Sequence, residues 1–382
     1  MSEIAKGLLL IGIGGGGCHF ASHAANRFGP GIQAIGFDTD LMTARTLNGI
    51  RCKVLGASRF DGCGTGGDVV KGRTAVQDDV QAIIDATQSA HLAIVVTSLG
   101  GGFGSGATPG ILHILRQRGI TTVCLATLPF SLEGKDREAC AARAVPLLEE
   151  ETDALVLLHL DDLYGDTAAA THGLGDMIPV AEAKLGDAIT LVWSLLLTPG
   201  FIGFDSEDLL GIIRQSGGHC RFAVADASGE ARAVESVNKL CRSPMLGSAP
   251  LSDAKMAVLG VLAGTDLRLS ELGEISETFR LATAQNCEFH LGTVLDERYA
   301  GTVKLVGLFF DAVRQPETDE TPIDISLTGA VSRKSRSRRK TDSKLALGAT
   351  GFDRFRGADA TYANGVDLDR PTYLRRGLQL DR

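Results

Sequence analysis

Two clusters of glycine carry most of the chemistry legible in this sequence. The first, GIGGGG at residues 12–17, stands between an apolar run at Leu8–Ile13 and a helical pattern near residues 18–28. Glycine lets the backbone turn sharply and bring several N–H groups to one point. A helix N-terminus adds partial positive charge, so the combination suits a phosphate. The cluster also satisfies G-x-G-x-x-G through Gly12, Gly14 and Gly17, with Asp38 where a dinucleotide's ribose-binding acid would stand. The dinucleotide reading stays open on this cluster alone. The second cluster, GGGFGSG at residues 100–106, follows another apolar run and leads into a second helix. A dinucleotide fold has no need of a second loop of this kind, and no GxxxxGK[ST] marks a P-loop. Two glycine loops flanking one nucleotide are more specific than either loop alone.

The elements that must position these loops alternate. Apolar runs at residues 8–13, 34–37, 52–55, 92–97, 122–127 and 154–159 read as strands, with helical patterns at 78–90, 110–118 and 137–150. Strands apolar throughout and separated by helices indicate a parallel sheet covered on both faces. A long helix is expected over residues 176–197, stopped by Pro199 and Gly200. Trp193 on it reads as core. Strands at 220–225, 256–263, 287–294 and 302–310 follow in a second, mixed region. Beyond residue 315 the chain turns polar and charged, too poor in large apolar residues to fold alone.

Composition excludes several classes. The chain has 382 residues, 44% hydrophobic and 22% charged, ordinary values for a soluble globular protein. The longest apolar stretch, residues 188–204, is interrupted and too short to span a bilayer, so no membrane insertion is expected. The eight cysteines show no CxxC spacing, which suits reduced thiols in the cytoplasm. His19 and His23, four apart, lack a third ligand type and read as helix-face histidines. Residues 331–382 carry 13 basic and 6 acidic residues. The whole chain is at −8, so the remaining body is strongly acidic, and nucleic acid is not an expected partner. The basic run at 333–340 (RKSRSRRK) reads as a solvated linker.

The cluster GGGFGSG resembles the signature GGGTGTG of the tubulin/FtsZ family, and the chain is similar to the FtsZ branch from about residue 7 to 310. GCGTGGDVVKGR (62–73) resembles the family's third nucleotide loop, and LPFSLEGKDR (128–137) its ribose-binding segment. LTPGFIGFDSED (197–208) resembles the loop that reaches a neighbouring subunit's nucleotide. The segments at 227–233, 243–246 and 291–297 are similar to the family's second-domain pattern. DLDRPTYLRR, from Asp367 to Arg376, resembles the tail peptide that engages membrane adaptor proteins.

The resemblance implies an α/β fold. Its parts are a doubly wound, mostly parallel GTP-binding domain (1–175), a central helix with its connecting loop (176–204) and a smaller α/β assembly domain (205–313). A disordered linker (314–365) and an adaptor peptide (366–382) complete the chain. It implies a cytoplasmic, division-site GTPase that polymerises head to tail, with GTP or GDP bound and Mg²⁺ accompanying the nucleotide. Nucleotide contacts are expected from Gly14, Gly15, Gly16, Gly17, Cys18, His19, Asp40, Gly66, Gly67, Gly101, Gly102, Phe103, Gly104, Ser105, Glu133, Arg137 and Glu182. Asp205 and Asp208 would polarise water against the neighbour's nucleotide. Phe103, Gly203 and the pair Leu160-Asp161 depart from the family pattern. These departures motivate a second reading, a relative with weak hydrolysis that regulates another such protein.

Overall fold

The computed structural model describes residues 7–28, 32–163, 211–214, 218–247, 251–284 and 286–311, further helical positions between 179 and 193, and the strand pairs 362–363 and 366–367. By its contacts the chain divides into two units, residues 1–319 and 320–382.

The first unit is built on one ten-stranded sheet. Its N-terminal part comprises β1 (Leu8–Ile13), β2 (Ala34–Asp38), β3 (Arg51–Val54), β4 (Leu92–Ser98), β5 (Thr121–Leu128) and β6 (Ala154–His159). These strands are parallel, in the order β3-β2-β1-β4-β5-β6. Helices α1 (Gly14–Phe28), α2 (Leu41–Thr46), α3 (Val69–Asp78), α4 (Val80–Ala86), α5 (Gly102–Gln117) and α6 (Lys135–Glu151) connect them.

Alternate residues of β1 enter two different cores, as a parallel sheet covered on both faces requires. Leu8 and Leu10 pack with Phe20 and Ala24 of α1, while Leu9, Ile11 and Ile13 pack with Ile111 and Leu115 of α5. The helical positions Ala181, Leu185, Ile189 and Trp193, four apart, complete the first core, and all are buried. Trp193 is thus a core residue.

Three helical stretches differ from the sequence-based expectation. Gly14–Gly17 and the glycines from Gly102 onward are helical: α1 starts at Gly14, not near 18, and α5 at Gly102, not 110. The sequence predicts a helix over 78–90, whereas α3 and α4 occupy 69–78 and 80–86. Asp68 starts α3 early by accepting hydrogen bonds from the Val70 and Lys71 amides. Gly72, a residue that argues against helix by propensity, is required inside α3. A Cβ there would lie 2.6 Å from the Gly102 carbonyl oxygen of α5.

The second part continues through β7 (Gly218–Ser228), which pairs parallel to β6 at Ala154–Gly218 and Leu155–His219. It adds α7 (Arg232–Cys241), β8 (Met256–Ala263), α8 (Leu269–Ala282), β9 (Glu288–Leu295) and β10 (Thr302–Phe310). β10 lies antiparallel between β7 and β8, and β9 closes the sheet parallel to β8. In the second unit, β11 (Tyr362–Ala363) and β12 (Val366–Asp367) form an antiparallel pair. Most of the expected linker and most of the expected adaptor peptide lie outside the described residues.

Candidate functional site

Strand order reverses between β1 and β4, because chain growth proceeds outward from that pair in both directions. Open parallel sheets bind ligands in the crevice beyond the carboxyl ends of the strands at such a switch point. Here both glycine clusters leave from that point, one after β1 and the other after β4. They touch: a Cβ on Gly14 would lie 3.2 Å from the Gly104 amide nitrogen. Gly14 itself has φ +76°, a conformation that side chains other than glycine rarely adopt.

The crevice is a cleft of about 660 Å³. Gly14, Gly15 and Gly16 line it from the first cluster, and Gly101, Gly102, Phe103 and Gly104 from the second. Asp40, Gly66, Glu133 and Arg137 complete the expected residues on its wall. Gly17, Cys18 and Ser105 stand behind it. Gly17 packs against the Val96 carbonyl so closely that a Cβ would overlap it. The Cys18 thiol donates to the Gly12 and Phe37 carbonyl oxygens at 3.4 and 3.6 Å. The Ser105 hydroxyl accepts from the Gly100 amide at 2.9 Å, which shapes the turn into α5. His19 is exposed on α1, and neither it, Gly67 nor the half-buried Glu182 lines the cleft. Asp205, Asp208 and Gly203 lie outside the described residues.

The wall also uses Thr39, Thr43 and Ser98, which carry no sequence signal, together with Asp38 and with Cys63, Thr65 and Phe130 of the segments at 62–73 and 128–137. Only Asp38 had been singled out, as the acid of a dinucleotide site. Three of these polar groups sit around the β2 terminus. Asp38 is 4% exposed and accepts from the Thr39 amide at 2.7 Å. Burial pushes its carboxyl above the usual range, against the opposing hydrogen bonds of the Thr39 and Asp40 amides and the Thr43 hydroxyl. The Thr39 hydroxyl is buried with no protein partner, an orphaned donor on the wall of the cleft. Asp40 accepts from the Met42 amide and the Thr43 hydroxyl, capping α2.

Across the cleft, Glu133 is committed at both oxygens. One accepts from the Phe130 amide at 3.0 Å and the other pairs with Arg137 at 2.5 Å. Among the described residues the cleft thus holds three acids, a single arginine and no lysine. A phosphate chain here meets backbone amides and helix N-termini rather than an excess of cationic side chains. Among the described residues no group of three or more His, Cys, Asp or Glu could hold a metal ion. That donor set fits a cation carried by the nucleotide's own phosphates.

The departures from the family pattern have structural consequences. The Phe103 ring is buried in the core with Val76 and Ile111 and lies against Gly14, bringing an apolar surface to the base of the cradle. Leu160 also lines the cleft and adds a second apolar element.

Comparison with known proteins gives one consistent result. Residues 7–167 match the family model described as Tubulin/FtsZ family, GTPase domain, and residues 218–309 match FtsZ family, C-terminal domain. The cell division protein FtsZ 2 of Rhizobium meliloti (strain 1021) is 26% identical over 324 residues, 84% of this chain and 93% of its own. The cell division protein FtsZ of Pseudomonas putida (strain KT2440) is 25% identical over 370 residues, 96% of this chain and 88% of its own. Among solved structures, a tryptophan-to-tyrosine variant of M. jannaschii FtsZ superposes with a TM-score of 0.74 at 25% identity, covering 80% of this chain and 91% of that one. A Haloferax volcanii CetZ2 protofilament with bound GTPγS shares the fold, with a TM-score of 0.66 at 21% identity over 81% of this chain and 94% of that one.

Proposed function

The chain belongs to the tubulin/FtsZ family and carries that family's GTPase domain, and from that premise we propose that it assembles head to tail and hydrolyses GTP at the contact between subunits. The observation that carries this reading is the rim of the cleft. Leu132, 65% exposed, lines the cleft, and Met42, 63% exposed, stands between the lining residues Asp40 and Thr43. Large apolar side chains gathered around one opening mark a surface that another molecule covers. A second copy seated there would close the cleft and expel water from it.

The first cluster, the second cluster and the orphaned Thr39 hydroxyl hold the phosphate chain of GTP or GDP, with Glu133 and Arg137 beside the ribose. Mg²⁺ accompanies the nucleotide on its phosphates and offsets charge that the cleft's own side chains do not balance. Asp205 and Asp208 of the neighbouring copy orient the attacking water, a role for which carboxylates suit because they are not consumed. The body from 1–175 to 205–313 performs assembly. Asp367 to Arg376 engages a membrane adaptor at the division site, beyond the linker at 314–365. Among the described residues no helix is long and apolar enough to cross a membrane. The family GTPase domain and the curated relatives favour this over a regulator without hydrolysis.

Turnover per molecule against protein concentration tests the shared site. It is expected to rise from near zero through an assembly threshold, and to fall by roughly 10²–10⁴-fold in Asp205→Ala or Asp208→Ala with nucleotide affinity of the monomer unchanged. A rate per molecule independent of concentration removes the shared site.

A further inference from the structure

One row across the parallel part of the sheet is built around two thiols. Gly12 of β1, Gly36 of β2 and Cys52 of β3 stand in register on adjacent strands. Cys18 of α1 lies over this row. A Cβ on Gly12 would lie 2.7 Å from the Cys18 Cα, so the start of α1 rests directly on β1. A Cβ on Gly36 would lie 2.8 Å from Cys18 Sγ and 3.3 Å from Cys52 Sγ. Both sulfurs therefore crowd the space above one glycine, and the two thiols are in contact. Cys18 is fully buried and Cys52 half-buried, so solvent reaches the pair from the β3 side.

The two cysteines divide the work of an oxidisable pair. The contact with Cys52, and burial after it, push the Cys18 thiol well above its ordinary range, so Cys18 stays protonated. As a thiol it donates to the Gly12 and Phe37 carbonyl oxygens, which ties α1 to the ends of β1 and β2. Cys52, on the sheet's edge strand, is the member that an oxidant meets first. The same helix that Cys18 anchors supplies Gly14–Gly17 to the cleft and its back wall.

We propose that Cys18 and Cys52 are a redox-sensitive pair that closes to a disulfide under peroxide and thereby loosens the phosphate loop. The Cys52 sulfur attacks one peroxide oxygen and the O–O bond breaks. The departing hydroxide takes the thiol proton as water, and Cys52 becomes a sulfenic acid. The Cys18 sulfur then attacks the Cys52 sulfur, the S–O bond breaks, and a second water leaves with the Cys18 proton. Two electrons pass from the sulfurs to the peroxide, and a dithiol reductant reverses the bond by exchange. In the disulfide Cys18 has no S–H to donate, so the Gly12 and Phe37 carbonyls lose their donor. Its sulfur is drawn towards β3, and the start of α1 moves with it. The consequence for the cleft rests on the nucleotide reading, whereas the pair itself does not.

Treatment of the folded full chain with hydrogen peroxide, followed by peptide mapping and GDP titration, tests both halves. Mass spectrometry is expected to find the Cys18 and Cys52 peptides joined, two hydrogens lighter than their sum, and separated again by dithiothreitol. GDP affinity should fall about tenfold on oxidation, the worth of two modest hydrogen bonds, and return on reduction. Cys52→Ser should bind GDP as the reduced wild type does and keep that affinity under peroxide. Because this variant retains Cys63 on the cleft wall, an equal loss of affinity in Cys52→Ser overturns the pair as the cause. Absence of the joined peptide overturns the pair outright, and it is read on the wild type, so a variant that does not fold leaves the test standing. A joined peptide with unchanged GDP affinity overturns the link to the phosphate loop. Failure of the reduced wild type to bind GDP or GTP overturns the nucleotide reading, and that link with it.

Discussion

The two parts of the ten-stranded sheet treat buried charge in opposite ways. In the parallel part, all strands end on one edge, and the loops that leave them gather glycines, an orphaned hydroxyl and a buried acid held by neutral N–H and O–H donors around an open cleft. In the mixed part, strand directions alternate across β7, β10 and β8, so loops are shared between the two ends. Its deeply buried Arg232 is fully answered. Arg232, 5% exposed, donates to Glu271 at 2.7 and 3.0 Å and to Asp266 at 2.6 Å. The Asp266 carboxylate also accepts from the Gly301 amide. That arrangement ties the start of α7 to the start of α8 and the turn before β10. The parallel part leaves polar groups waiting for a ligand, whereas the mixed part satisfies its own.

The largest way to break this contrast is to fill the cradle. A Cβ at Gly104 would overlap the Ser98 carbonyl, and β4 cannot retreat because β1 and β5 flank it. Gly104→Ala is expected to cost about 3 kcal/mol and to abolish nucleotide binding, read by chemical denaturation and by retained nucleotide after purification. Gly273→Ala on α8 is the control, since a Cβ there meets nothing within 4 Å and the residue does not line the cleft.

A smaller effect is expected from the mixed part. Arg232→Met leaves Glu271 and Asp266 without their partner and should cost about 2 kcal/mol. That is below the value for a fully buried pair, because Asp266 is partly exposed. Nucleotide affinity should not change. The pH dependence follows from the same contacts. Arg232 holds Glu271 and Asp266 below the usual carboxylate range. Their stabilisation is therefore complete above the unfolded value of about 4 and is lost as pH falls below it. Thermal midpoints from pH 7 to 3 should converge for wild type and Arg232→Met at the acid end.

Asp38 supplies the opposite sign at lower amplitude. Because burial raises its carboxyl in the folded chain, the ligand-free protein gains from this residue as pH falls towards that raised value. Asp38→Asn should raise the thermal midpoint without nucleotide at pH 8, with the gain shrinking towards pH 5. A gain that grows on acidification would contradict the opposed settings of the two parts.

The smallest stability effect is expected at the rim. Met42→Ser and Leu132→Ser alter exposed side chains and should stay within about 0.5 kcal/mol of wild type. Sedimentation with GTP should nevertheless fall, because the surface that a second copy covers has changed. Unaltered assembly in the double variant would separate the rim from the subunit contact.

Much of this architecture is local and was readable as such. Strands at Leu8–Ile13, Ala154–His159, Met256–Ala263 and Thr302–Phe310 coincide with the apolar runs, because buried strands need unbroken apolar residues and little else. Gly12–Gly17 and Gly100–Gly106 announce a phosphate site because only a backbone without Cβ atoms brings so many amides together. Of the cleft wall, Gly14 and Gly102 came from the glycine clusters and Gly66, Glu133 and Arg137 from the family resemblance, and the structure places them on one cavity.

What spacing could not decide is which residues meet across the chain. Asp38, Thr39 and Thr43 enter the site because β2 lies beside β1 in the sheet order, a fact of strand pairing with no local signature. Ser98 and Phe130 enter because β4 and β5 end on the same edge. The helical glycines of α1 and the early start of α3 were misread for the same reason. Propensity counts each glycine as a loss of helix, while the close approach of α3 to α5 at Gly72 and Gly102 makes glycine the residue that fits. The sequence by itself determined the strands, the two glycine loops and the family they belong to. The tertiary structure alone decided how charge is balanced around them, because repulsion and desolvation depend on distances between strand ends that lie far apart in sequence.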